Sequence, residues 1–236
     1  MERRSKMPET QVIATDIDYA LTDAGPRLDT TAIEKIRELE GRGVKVILIS
    51  GRNLPATGSL AQLIGTSGLV VAENGGVIAK YQTPISVLGR IENARAALRI
   101  LRKRMGRKVI QRPDSKLGLR LSSVSLERSF DFEAGRAVLR ESRTRADLVD
   151  TGVAYILLDA RINKGYALAR LAQLVKLPLD HSAGIGDNYN DLSLFRKVAH
   201  RIAVANAPED VKQQADFVCT RSYGQGFLKA ITHLGL

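Results

Sequence analysis

The chain has 236 residues, 44% of them hydrophobic and 26% charged, which excludes a disordered chain and allows a core domain with a smaller companion. A single cysteine, Cys219, excludes an intramolecular disulfide and a Cys-based zinc motif, so a bound metal would have oxygen or histidine ligands. Lys plus Arg is 36 against 25 for Asp plus Glu, and the formal charge of +11 favours an anionic partner such as nucleic acid or a phosphorylated metabolite.

From the start, Arg3, Arg4 and Lys6 are not followed by the apolar stretch of a signal peptide, and no later run reaches the ~20 apolar residues of a membrane span. A cytoplasmic protein without a membrane partner is expected. Residues 11–17 read as a β-branched, buried strand, 29–40 as a helix with Ile33, Ile36 and Leu39 inward, and 44–49 as a second strand. Helix 54–64 and strand 69–72 follow, then the turn signal Asn74-Gly75-Gly76 before a strand at 77–79.

The middle breaks this alternation. It reads as helix 91–105, strands 109–112 and 118–124, helix 130–142 and strands 146–150 and 153–158. Strand and helix then alternate again: helix 164–176, strand 183–186, helix 191–197, strand 201–205, helix 208–214, strand 217–220. The expected fold class is α/β: a doubly wound, mostly parallel sheet from residues 1–82 and 156–236, with an inserted smaller α+β module at 83–155.

Four segments carry chemistry, each at the carboxyl end of a predicted strand or the start of the next helix, where ligands of such sheets bind. Asp16 and Asp18 lie two apart and project to one face. Two carboxylates so close require a shared cation or a proton, and Mg²⁺ suits hard oxygen ligands. Ser50-Gly51-Arg52 offers a hydroxyl and backbone N–H groups to an anion, although a serine there also serves as an ordinary helix cap. Lys164 opens a helix, against the positive end of its dipole, which marks it as functional or simply solvated. Gly186-Asp187-Asn188-Tyr189-Asn190-Asp191 places two acids four apart in a turn, within reach of one ion.

Together, the run from Asp16 to Asp23, Ser50-Gly51-Arg52, Lys164 and the run from Gly186 to Asp191 resemble the haloacid dehalogenase-like superfamily of phosphatases over nearly the whole chain. The insert between the second and third motifs is similar to the large α+β cap of one subgroup, in which the archaeal phosphoglycolate phosphatases look most alike. The resemblance implies Asp16 as nucleophile and Asp18 as acid and base. It implies Ser50, Gly51, Lys164 and Asn188 around the phosphate, and Mg²⁺ held by Asp16, Asp18, Asp187 and Asp191. The implied substrate is a small anionic phosphate ester, 2-phosphoglycolate first and a sugar phosphate second, handled by a monomer or homodimer. The chain departs from the family at Tyr19 and Ala20, where Gly and Thr are usual, so the turn after Asp18 must avoid positive φ or carry strain.

Two other classes compete. A nucleic-acid binder would use the basic runs at 99–108 and 136–145, but helix 91–105 sets Ile91, Ala94, Leu98, Leu101 and Met105 on one side, leaving its arginines as a solvated face. Aromatics make up only 5% of the chain, so stacking platforms for bases are scarce and no specific nucleic acid is expected. A receiver-type phospho-switch also gathers acids at strand ends, but leaves a cap-sized insert unexplained.

Overall fold

Apolar runs that alternate between two buried faces build the larger sheet. In β1 (Val12–Thr15), Ile13 packs on one face while Val12 and Ala14 pack on the other. In β2 (Lys45–Ile49), Val46 and Leu48 oppose Ile47 and Ile49 in the same way. Strands covered on both sides cannot alternate with polar residues, which is why they read as unbroken hydrophobic stretches. The computed structural model describes residues 10–236, so Arg3, Arg4 and Lys6 and what was expected of the chain's start lie outside the described residues.

Helix α1 (Thr30–Gly41) begins on Asp29, whose carboxylate accepts from the N–H groups of Thr31 and Ala32; α2 (Leu54–Ile64) begins on Asn53 in the same manner. Strand β3 (Leu69–Ala72) continues the parallel sheet. It is followed by a single helical turn, Glu73–Gly75, and by β4 (Val77–Lys80) and β5 (Thr83–Val87), both antiparallel.

After the middle segment come α6 (Lys164–Val175), β9 (Ser182–Gly186), α7 (Leu192–Phe195), β10 (His200–Ala203), α8 (Glu209–Lys212), β11 (Phe217–Val218) and α9 (Tyr223–His233). The eight strands of this sheet lie in the order β11-β10-β9-β1-β2-β3-β4-β5. Helices α1, α2 and α9 cover one face and α6 and α7 the other. Thr15 pairs with Leu48 on one side and Ile185 on the other, so Asp16, Ser50 and Asp187 emerge side by side from the sheet's carboxyl edge.

The middle segment forms the cap. It contains α3 (Ile91–Met105), α4 (Pro113–Lys116), β6 (Ser123–Leu126), α5 (Phe132–Glu141), β7 (Ala146–Asp150) and β8 (Tyr155–Asp159), with an antiparallel sheet in the order β6-β8-β7. Helices α3 and α5 bury Ala94, Leu98, Leu101 and Leu139 against Val124, Leu148, Tyr155 and Leu157. The opposite face of β8, with Ile156 and Leu158, turns away from this core.

Several expectations change. Residues 83–87 form the edge strand of the large sheet, folded back through a turn in which Tyr81 takes φ 50°, so the expected limit at 82/83 falls inside the core sheet. The expected limit at 155/156 cuts β8, which pairs along its whole length with β6 and β7. The strand expected at 109–112 is reduced to one bridge, Gln111 with Leu126, because Pro113 starts a short helix there. The strand expected at 118–124 begins only at Ser123, since the N–H groups of Leu121 and Ser122 donate to the Glu73 carboxylate instead of a neighbouring strand.

Candidate active site

The loop after β1 leaves the sheet at Asp16, a buried residue whose Oδ1 accepts the N–H of Ile17 at 2.7 Å. Its other oxygen accepts from Lys164 Nζ at 2.5 Å, and the same ammonium donates to Asp191 Oδ1 at 2.7 Å. Lys164 is 1% exposed although it is the first residue of α6. The two carboxylates outweigh the unfavourable helix dipole at that position. Its placement depends on Gly165: a Cβ there would meet the Ser193 carbonyl oxygen at 1.8 Å, so only glycine lets α6 approach α7 this closely. Gly186 acts similarly, because a Cβ would lie 2.5 Å from the Asp191 carboxyl carbon.

Asp191 also folds the third motif onto itself. Its Oδ2 accepts the N–H groups of Asp187 and Asn188 at 3.0 and 3.1 Å, which holds Asp187 over the end of β9. Asp16, Asp187 and Asp191 each turn a carboxylate oxygen into a space where all lie within 4.8 Å of one another. Three carboxylates against one ammonium leave two negative charges in a buried pocket. A divalent cation with hard oxygen preference matches that deficit, so the residues fit Mg²⁺.

The titration behaviour has the same origin. Burial, opposed by Lys164 and reinforced by Asp191 and Asp18, pushes Asp16 up to about 7; burial and the charges of Asp16 and Asp191 push Asp187 up to about 9. For Lys164, burial disfavours the charge, but Asp16 and Asp191 override it and raise the ammonium above its ordinary range. Both aspartates therefore bind protons more tightly in the metal-free folded state than in the unfolded one. Stability of the metal-free protein is expected to fall as pH rises from about 4 through about 7 and on to about 9. Added Mg²⁺ replaces those protons, so thermal melts should show a larger Mg²⁺-induced rise at pH 9 than at pH 5. A rise independent of pH would place the ion elsewhere.

Asp18 is not part of the cluster. Arg52 grips its carboxylate from two nitrogens, Nη2 to Oδ1 at 2.6 Å and Nε to Oδ2 at 3.0 Å. Asp18 was expected among the metal ligands; its carboxylate lies outside the group formed by Asp16, Asp187 and Asp191 and is held by the Arg52 guanidinium, a fork that satisfies both oxygens. Asp18 nonetheless lines, with Asp16, Gly51 and Arg52, a cavity of about 460 Å³ beneath the cap.

Ser50 is fully buried, and its Oγ accepts the N–H of Arg52 at 3.1 Å. Gly51 lies at the wall of the cavity. Asn188 accepts the Tyr189 N–H and, with Lys164, lines a second cavity of about 900 Å³ rather than the one containing Asp16. Between the two cavities stand Asn74 and Asn190, joined by a 3.0 Å bond from Asn190 Nδ2 to Asn74 Oδ1.

Tyr19 does take positive φ, 60°, a conformation that costs about 1–3 kcal/mol unless its surroundings enforce it. Thr22 Oγ accepts its N–H at 2.9 Å and Asn206 Nδ2 donates to its carbonyl at 3.0 Å, which pins the turn from both sides. The ring lies against the cap at Gly152, where a Cβ would come within 3.3 Å of Cε2.

Sequence reasoning overlooked Glu73, although it immediately precedes the recognised Asn-Gly-Gly turn. It is fully buried at φ 55°, and its carboxylate accepts from the N–H of Leu121, the N–H and hydroxyl of Ser122 and the hydroxyl of Ser123, at 2.7–3.0 Å. Arg120 makes a second core–cap tie: its Nη1 and Nη2 donate to the Gly51 carbonyl at 3.2 Å, while Nε pairs with Asp114 at 2.7 Å. A lone acid beside a turn and an arginine in an irregular segment carry no periodic signal.

The comparisons agree with this geometry. The model of the haloacid dehalogenase-like hydrolase family matches residues 13–102 and 146–231. A phosphoglycolate phosphatase of Archaeoglobus fulgidus is 36% identical over 231 residues, covering 98% of this chain and 99% of that one. One from Methanothermobacter thermautotrophicus is 35% identical over 221 residues, with 94% and 97% covered. Among solved structures, a Thermoplasma acidophilum protein superposes with a TM-score of 0.82 at 28% identity, covering 96% of this chain and 98% of its own. With a family model spanning both halves of the site, and relatives above 30% identity along almost the full length, the chain belongs to the haloacid dehalogenase-like hydrolases.

Proposed function

We propose that this hydrolase removes phosphate from a small phosphate monoester, 2-phosphoglycolate foremost, with Mg²⁺ and through an acyl phosphate transiently formed on Asp16. The observation that carries the reading is the joint placement of Asp16 on the cavity wall and in the charge-deficient cluster with Lys164, Asp187 and Asp191. The names of the Archaeoglobus and Methanothermobacter relatives, both phosphoglycolate phosphatases, support that choice of substrate.

Asp16, Asp187 and Asp191 would hold Mg²⁺, which when bound supplies a positive charge that screens the incoming phosphate from these carboxylates. The Asp16 carboxylate attacks phosphorus as the ester P–O bond breaks, and Asp18 gives its proton to the departing alkoxide. Asp18 must first let go of Arg52 and take up that proton from solvent, which leaves the guanidinium free to face the phosphoryl oxygens. Asp18 next takes a proton from water, whose oxygen attacks the phosphorylated Asp16, releasing phosphate and restoring the carboxylate. Lys164 keeps Asp16 and Asp191 in place throughout, and the backbone at Gly51 offers its N–H to a phosphoryl oxygen.

Phosphate release from 2-phosphoglycolate and from a panel of sugar phosphates, each with Mg²⁺ and with EDTA, tests the proposal. Turnover is expected with Mg²⁺, to drop to background in EDTA, and to be fastest with 2-phosphoglycolate. Release that persists in EDTA would refute the metal's role, and faster turnover of a hexose phosphate would shift the substrate to that class.

A further inference from the structure

Hydrolysis of the phosphate end leaves open what holds the other end of the ester, and the following rests on the functional reading above. The cavity containing Asp16 has a floor from the core and a roof from the cap. Three arginines line it: Arg52, Arg112 and Arg120. Their commitments differ. Arg120 is 7% exposed and fully engaged, with Asp114, Ser123 Oγ and the Gly51 carbonyl as acceptors. Arg52 has its fork on Asp18.

Arg112 is only lightly held. Its Nη1 donates to Glu127 Oε2 at 3.1 Å and, at 3.5 Å, to the Val153 carbonyl, while Nε and Nη2 make no hydrogen bond among the described residues. The Glu127 side chain is 41% exposed, so releasing it returns its carboxylate to water, and an exposed pair of this kind contributes little to stability. Arg112 can therefore exchange Glu127 for a ligand anion at small cost. No comparable exchange is open to Arg120, whose release would strand the Gly51 carbonyl and Asp114 beneath the cap.

The wall beside Arg112 sharpens the class of ligand. Val153, Ala154 and Ile156 offer aliphatic side chains to the cavity. The polar side chains nearby are already engaged, Thr151 Oγ1 with the Ala154 backbone and Asp114 with Arg120 and Ser125, so the hydroxyls of a sugar would have to displace existing bonds or stay unpaired, and unpaired polar groups are penalised far more than a missing methylene. A short carbon linker ending in an anion suits that wall. A guanidinium with two free donors matches a carboxylate in bidentate fashion, which a point-charge ammonium does not.

We infer that Arg112 is the specificity-determining residue that binds the carboxylate of a short, carboxylated phosphate ester. The test compares steady-state kinetics on 2-phosphoglycolate and on 2-hydroxyethyl phosphate, which has the same chain length and no carboxylate, for wild type, Arg112→Gln and Arg112→Lys, with melting temperatures as a folding control. The wild type should prefer the carboxylated ester. In Arg112→Gln the ratio of kcat/KM between the two esters should collapse by ~10–100-fold, the worth of a hydrogen-bonded charge pair, with the loss falling mainly on KM. Arg112→Lys should recover part of the ratio.

A ratio that stays put in Arg112→Gln overturns the inference, as does a parallel loss on both esters, which would mark a role in folding or phosphate binding. Wild type that turns over both esters equally with Mg²⁺ overturns it too, while leaving the phosphatase reading intact. Absence of phosphate release from both esters and from every sugar phosphate of the panel overturns both.

Discussion

Asp16→Asn is expected to lower kcat by at least ~10³-fold with either Mg²⁺-supported substrate, since removing a nucleophile leaves only positioning and electrostatic contributions to rate. That factor corresponds to about 4 kcal/mol of barrier. An amide is nearly isosteric with the carboxylate but has one acceptor oxygen for two donors, the N–H of Ile17 and the Lys164 ammonium, so one of them loses its partner and the thermal midpoint should fall by several degrees while the fold persists. Rapid-quench measurements with radiolabelled substrate should trap acid-stable label on wild type only transiently and none on the variant. Full activity in Asp16→Asn, or loss of activity accompanied by unfolding, would remove the basis for assigning this residue the attack.

Lys164→Met should have the largest effect on stability. The side chain is entirely enclosed and satisfies two buried carboxylates, and removing one partner of such a group typically costs about 3–5 kcal/mol because the remaining charges are left uncompensated. At ~2–4 °C per kcal/mol for a domain of this size, the midpoint should drop by roughly 10 °C. The loss should shrink at low pH, where Asp16 becomes protonated, and activity should be negligible. A variant that melts like wild type at neutral pH would show that the aspartates are neutralised by some other group, and the short contacts at Nζ would lose their significance.

The parts of this molecule that sequence reading found are those where geometry follows from local pattern. Unbroken apolar strands such as Val46–Ile49 point to a sheet covered on both faces, and the short segments beyond their carboxyl ends mark the edge where Asp16, Ser50 and Asp187 meet. Lys164 stood out because its position contradicts the helix dipole, and its burial between Asp16 and Asp191 explains the contradiction. Tyr19 was recognised as a conflict with backbone freedom, and positive φ is how the chain resolves it.

Other features depend on long-range partners that leave no local trace. Nothing near Asp18 indicates that Arg52, 34 positions later, would hold its carboxylate. Arg112 and Arg120 sit in a stretch that forms neither of the strands anticipated there, and only the tertiary fold brings them over Asp16. Helix α9 and edge strand β5 were overlooked as well, the former lying beyond the last anticipated strand and the latter interrupted by Pro84.

The enclosed anchorage of Glu73 constrains how the active site can breathe. Swinging the cap away as a rigid body would pull Leu121, Ser122 and Ser123 off one sequestered anion that has no water to receive it. The inexpensive excursion keeps that knot and the Arg120–Gly51 tie as a fulcrum and lifts the rim around Gly152, which rests on Tyr19 and whose hydrogen bonds among the described residues stay within the cap. Substrate would then enter past the tyrosine ring, at the free end of a flap held at Glu73 and at Arg120.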